Sequence, residues 1–151
     1  MDKIDRKVMA DIARMGWSGM AIFPTEGDPG PYFNYTVGLI EQNHPDLIVL
    51  GMSPKVGHGV LLSAYELIQR GTRLEPDHYY DEVLQGLRVA VLEVLDPLGQ
   101  LAPMSMCNHL FGEVHGLQVV WPDAEDRFPW DADFDEQFRD RQPLLGPWRG
   151  P

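Results

Sequence analysis

The run from Phe33 to Gly51 constrains the fold more than any other part of this chain. Phe33-Asn-Tyr-Thr-Val37 and Leu47-Ile-Val-Leu50 are β-prone, and the polar segment between them carries Asn43 and Pro45. Apolar runs bounded by turn residues read as a hairpin or a strand-loop-strand unit. Leu47 to Leu50 is continuously apolar, which predicts a strand lying deep in a sheet.

The flanking segments supply helices and further strands. Ile4, Val8, Ile12 and Met15 recur at helical spacing, so Asp2 to Met15 reads as an amphipathic helix. Asp2 suits its N-cap and Gly16 its left-handed end. Trp17 to Phe23 reads as a strand, and the proline- and glycine-rich stretch from Pro24 to Pro31 as a loop. Ser53 and Pro54 suit the N-cap and first position of a second helix that Gly71 stops. Val60, Leu61, Ala64, Leu67 and Ile68 give it an apolar face, and Gly57 and Gly59 in its first turns point to close packing there or to a later effective start. Thr72 to Gly86 is polar and irregular. Leu87 to Leu95 reads as a buried strand and Leu117 to Trp121 as another short strand, and Met104 to Phe111 has helical spacing. After Pro122 aromatics alternate with acids, which describes a tail docked by its rings with one short helix near Asp133 to Arg139. The expected fold is α+β: one domain over residues 1–151, with a mixed, mostly antiparallel sheet of about five strands and two main helices. The helix after Leu50 is the candidate for a right-handed parallel crossover between Leu47–Gly51 and Leu87–Leu95.

Composition sets the class of partner. The chain has 151 residues, 44% hydrophobic and 23% charged, enough to bury about 68–70% of its unfolded surface. Acids outnumber bases 23 to 12, for a net charge of -11. That field repels a phosphate backbone and argues against nucleic acid. It suits a basic protein surface, or self-association. Cys107 is the single cysteine, so no internal disulfide forms and a reducing, cytoplasmic setting is expected. The first residues lack the apolar core of a secretion signal, and no run has the length of a bilayer span, so no membrane partner is expected.

Several motifs are similar to those of one family. Tyr35-Thr-Val-Gly-Leu39, His44-Pro-Asp-Leu47 and Gly51 resemble the signature of the bacterial domain of unknown function 4262. Gln118-Val-Val-Trp-Pro-Asp123 and Arg127-Phe-Pro-Trp-Asp131 resemble its second signature, and Gln142-Pro-Leu-Leu-Gly146 its common ending. The similarity runs from about Gly16 to Gly146. It implies an origin in actinobacteria or their phages, and it implies no activity. The chain departs from the family pattern at Asp126, where glycine is common, and at Asn108-His-Leu-Phe111, where a tyrosine-rich stretch is expected.

No catalytic, phosphate-binding or metal motif stands out, and no cofactor is indicated. Cys107, His109 and His115 are zinc-ligand types, or a thiol with a base, but lack the paired spacing of a structural zinc site. A buried thiol in a Met-rich packing segment is the competing reading. Gly57-His-Gly59 at a helix start is an anion-site type without the Walker spacing. His44 is either a general base at the end of buried strands or a turn-holding ring. Trp121, Phe128 and Trp130 beside Asp123, Asp131 and Arg127 are either a floor for a flat or cationic ligand or a docked tail. Two functions follow. One is a small non-catalytic binding or protein-interaction module. The other is an enzyme or a carrier of a nucleotide- or flavin-like ligand, with Tyr35, Thr36, His44, Trp121, Asp123, Arg127 and Trp130 around one cleft between the central strands and the aromatic tail.

Overall fold

The computed structural model describes residues 2–24, 31–95 and 104–151. Helix α1 (Lys3–Met15) starts at Asp2, whose carboxylate accepts the Asp5 N–H at 2.9 Å, and ends at Gly16 with φ +92°. Strands β1 (Ser18–Ile22), β2 (Phe33–Val37) and β3 (Asp46–Leu50) form an antiparallel meander. A 3₁₀ turn, Leu39–Gln42, joins the last two, closed by Asn43 at φ 57°. Helix α2 (Pro54–Gln69) starts at the Ser53 cap with Pro54 at its head. Strands β4 (His78–Tyr80) and β5 (Val89–Glu93), helix α3 (Ser105–Phe111) and strand β6 (Gly116–Val120) follow. A 3₁₀ segment, Glu136–Arg141, lies in the tail.

The fold is α+β, with a six-stranded sheet in the order β1-β2-β3-β6-β5-β4. All neighbours are antiparallel except β3 and β6. The expected parallel crossover from β3 to β5 is therefore corrected. Strand β6 lies between them, and β5 runs against both. The sixth strand is β4, which lies inside the stretch read as irregular from its sequence. With His78 to Tyr80 just past a turn at Asp77, φ 64°, it is too short to carry a period. The loop expected over Pro24 to Pro31 lies mostly outside the described residues.

Both faces of the sheet are covered. Leu47 and Val49 of β3, Val89 and Val91 of β5, and Leu117 and Val119 of β6 pack beneath Val60, Leu61, Ala64 and Leu67 of α2. On the opposite face Tyr35, Val37, Ile48 and Leu50 meet Val8 and Ile12 of α1 and Met104 and Cys107. The rest of that face, Ala90, Leu92 and Val120, is closed by Phe128 of the tail. This explains why every residue of β3 and β6 is buried, as a strand sandwiched between two layers requires.

Close packing at α2 falls on one of its two early glycines. A Cβ on Gly57 would collide with the amide of Asn34, whereas one on Gly59 meets nothing within 4 Å. Alanine is favoured over glycine inside a helix by about 1 kcal/mol. Gly59→Ala is expected to raise unfolding stability by about 0.5–1 kcal/mol. Gly57→Ala is expected to lower it by about 1–3 kcal/mol, as overpacking does. Urea unfolding of the two variants checks the opposite signs.

Candidate functional site

A cleft lies at the end of the sheet where β3 and β6 begin and β5 stops. Its volume is about 660 Å³, within the range of about 300–1,000 Å³ typical of small-molecule sites. The turn before β3 supplies His44 and Pro45, the segment after α2 supplies Arg73, and β5 ends there with Glu93 and Val94. The approach to β6 supplies Glu113 and His115. The mouth is held together by the Asp46 N–H donating to the His115 carbonyl at 2.8 Å.

Its polar groups differ in freedom. The His44 ring is buried. Its Nδ1 lies 2.8 Å from the Pro45 carbonyl, and its Nε2 accepts the Leu74 N–H at 3.1 Å. A proton on Nδ1 satisfies both contacts, so the imidazole is held neutral. Burial lowers its pKa, against the opposing pull of the Pro45 carbonyl. The ring ties two loops together and has no nitrogen left for a substrate. Arg73 donates to the Asn43 carbonyl and lies 3.3 Å from Glu75. His115 and Glu113 pair at 3.1 Å with both side chains exposed. The rim therefore carries Glu93 and Glu113 against Arg73.

Directly behind the cleft wall a carboxylate is buried. The β2–β3 ladder ends at Tyr35 and Ile48. Past that point the Thr36 hydroxyl accepts the Leu47 N–H at 2.9 Å and donates to Asp46 Oδ1 at 2.8 Å. The Leu39 N–H also donates to Asp46 Oδ1, at 3.1 Å. Asp46 is 3% exposed. Burial pushes its carboxyl up to about 6, although the donors around it pull the other way. The Cys107 thiol donates to the Thr36 carbonyl at 3.4 Å. Burial, and then the neighbouring Asp46 charge, push its pKa up, so it remains a thiol rather than a nucleophile.

Of the residues singled out in the sequence, His44 lines this cleft. Tyr35 is buried against α1 and α3, where desolvation raises its phenol pKa. Trp121 packs beneath α2, and its indole donates to the Leu50 carbonyl at 2.7 Å. Trp130 lies on the opposite face, stacked 4.4 Å from Trp148 and donating to the Tyr79 hydroxyl. Asp123 and Arg127 are brought together at 2.9 Å. Asp123 organises the bend beyond Trp121, accepting the N–H groups of Glu125, Arg127 and Asp135. Burial alone would raise its pKa, but those bonds outweigh it and hold it low. Asp126 has φ 60°, and Arg88 holds it there through contacts of 2.7 and 2.8 Å to its carboxylate. His109 bonds Asp5 of α1 at 2.9 Å, away from Cys107 and His115. Among the described residues no group of three His, Cys, Asp or Glu side chains is placed to hold a metal ion.

Sequence reasoning passed over Asp46, Arg73 and Glu93. The one available signal for Asp46 was its place at the head of a fully apolar run, where a charge must be buried or must end the strand.

Fold and site together define a small α+β domain with its open cleft at one end of a doubly covered sheet. The chain belongs to the family described as Domain of unknown function (DUF4262), whose model matches residues 11–135. The match starts within α1 and stops short of the Gln142–Gly146 ending. No curated protein and no solved structure matches the chain. Among the described residues no helix is long and apolar enough to cross a membrane.

Asp46 makes stability depend on pH with a definite sign. Its folded pKa of about 6 lies above the ordinary 3.8. The folded state therefore binds the proton more tightly, and that extra stability, complete below 3.8, is lost as pH rises through about 6. The loss relative to Asp46→Asn is expected to be on the order of 3 kcal/mol. Denaturant titrations of both proteins from pH 4 to pH 7 check it, because the other carboxyl groups cancel in the difference. A difference that does not change with pH refutes the buried ionisation.

Proposed function

We propose that this protein is a small non-catalytic binding module that meets a basic protein surface at the cleft. The observation that carries the reading is the cleft's make-up: a lining of mixed polar and apolar surface with Glu93 and Glu113 against Arg73, set in a chain of net charge -11. The groups best suited to chemistry nearby support it. His44 has both ring nitrogens engaged, and Cys107 and Asp46 are buried among their own partners. In this reading Trp121, Asp123, Arg127 and Trp130 are scaffold for the tail, and Tyr35 and Thr36 are scaffold for the sheet. Cytoplasmic location and a reducing environment fit the single buried thiol.

Affinity capture with the wild type and the Glu93→Lys, Glu113→Lys double variant tests the proposal. The wild type is expected to retain a basic protein whose binding weakens with salt, as an exposed charge contact should. The variant is expected to lose about tenfold or more in affinity, or about 1.4 kcal/mol. Sedimentation velocity separates self-association through the same cleft from a foreign partner. Absence of both overturns the proposal. A stoichiometric small molecule released on denaturation and seen by mass spectrometry transfers the cleft to the ligand-carrier reading.

A further inference from the structure

A second groove, remote from the cleft, lies along the outer edge of the sheet. Among the described residues strand β1 ends the strand order and pairs with β2 alone. An edge strand presents a row of unpaired N–H and C=O groups on its outer side. The groove between this edge and α2 has a volume of about 390 Å³ and is lined by Gly19, Met20, Asn34, Lys55, His58 and Leu61, among others. Its walls are mainly apolar. The Asn34 amide is already engaged by the Met52 carbonyl at 3.3 Å. The His58 ring stacks on Trp17 with centroids 5.1 Å apart. It also overlies the strand: a Cβ on Gly19 would lie 2.9 Å from His58 Nδ1. The glycine thus leaves the imidazole room above the edge backbone.

The charge here is opposite to that of the molecule as a whole. Among the described residues Lys55 and His58 lie on the groove and no carboxylate lines it, and the first turn of α2 holds no acid. The positive end of the α2 dipole points the same way. In a chain with 23 acids and 12 bases, this stretch of edge is locally basic.

We propose that β1 and α2 form a docking groove for an extended acidic peptide, which joins the sheet alongside β1. Main-chain hydrogen bonds to the edge supply affinity without sequence preference, and alternate side chains enter the groove. A carboxylate at those positions meets Lys55 and His58. The occupant is an acidic strand rather than a second copy of β1, because β1 itself, Ser-Gly-Met-Ala-Ile, has no carboxylate to offer.

Fluorescence anisotropy on the full chain tests this with a short labelled peptide of alternating valine and glutamate. A lysine-for-glutamate version and a version N-methylated at alternate backbone nitrogens serve as comparisons. The glutamate peptide is expected to bind saturably, the lysine peptide about tenfold or more weakly, and the N-methylated peptide not at all. Amide resonances of Ser18 to Ile22 should shift on binding. The double variant Lys55→Glu, His58→Glu is expected to reverse the order of the charged peptides. Equal binding of both charged peptides, insensitivity to N-methylation, no saturable binding, or a dimer through β1 that excludes the peptide overturns the proposal.

Discussion

Covering a sheet on both faces removes water from its central strands, and every polar group placed there must find a partner within the protein. That requirement runs through the whole molecule. Asp46 is surrounded by the Thr36 hydroxyl and the Leu39 N–H where the β2–β3 ladder ends. Thr36 is equally committed, replacing a ladder bond by accepting the Leu47 N–H. Among the described residues no buried side-chain nitrogen or oxygen lacks a partner. The cleft mouth is built from the same segments, so its shape follows from how this buried carboxylate is satisfied.

The tail is docked by the same rule. Gln142 accepts the Trp121 N–H at 2.8 Å and donates to the Trp121 carbonyl at 2.9 Å, so a side-chain amide takes the place of a neighbouring strand. Gln118 does the reverse from within β6, donating to the Pro143 carbonyl at 3.0 Å and accepting the Leu145 N–H at 2.8 Å. Aromatic stacking adds to this on the face of β5, where Phe128, Trp130 and Trp148 lie nearly parallel in succession. Arg88 caps the cluster 4.2 Å over the Tyr79 ring. Polar pairing sets the register of the tail, while ring burial contributes most of its apolar contact.

Much of the scaffold was legible in the sequence because local chemistry wrote it. Leu47 to Leu50 could only be an interior strand, and Asp2, Gly16, Ser53 and Pro54 marked helix ends by their bonding capacity. The order of strands was not legible. Nothing in residues 116–120 states that they slip between β3 and β5. The cleft was hidden for a similar reason, since its lining comes from segments far apart in the chain, and of the flagged histidines His44 and His115 reach it. Asp46 and Gln118 looked like ordinary polar residues, and only the second covering layer makes them interior. The Trp121 and Trp130 rings, close in sequence, lie in clusters on opposite faces of the sheet.

The central position of β6 bears on how the protein is made. Strands β1 to β3 form one ribbon and β4 with β5 another, and the strand that bridges them is the last to leave the ribosome. Until Gly116 to Val120 emerge, two half-sheets carry raw inner edges that nothing yet covers. Such edges invite pairing with other chains. The acidic character of the chain then has a use during synthesis as well as afterwards, because like-charged nascent copies repel one another while the gap stands open.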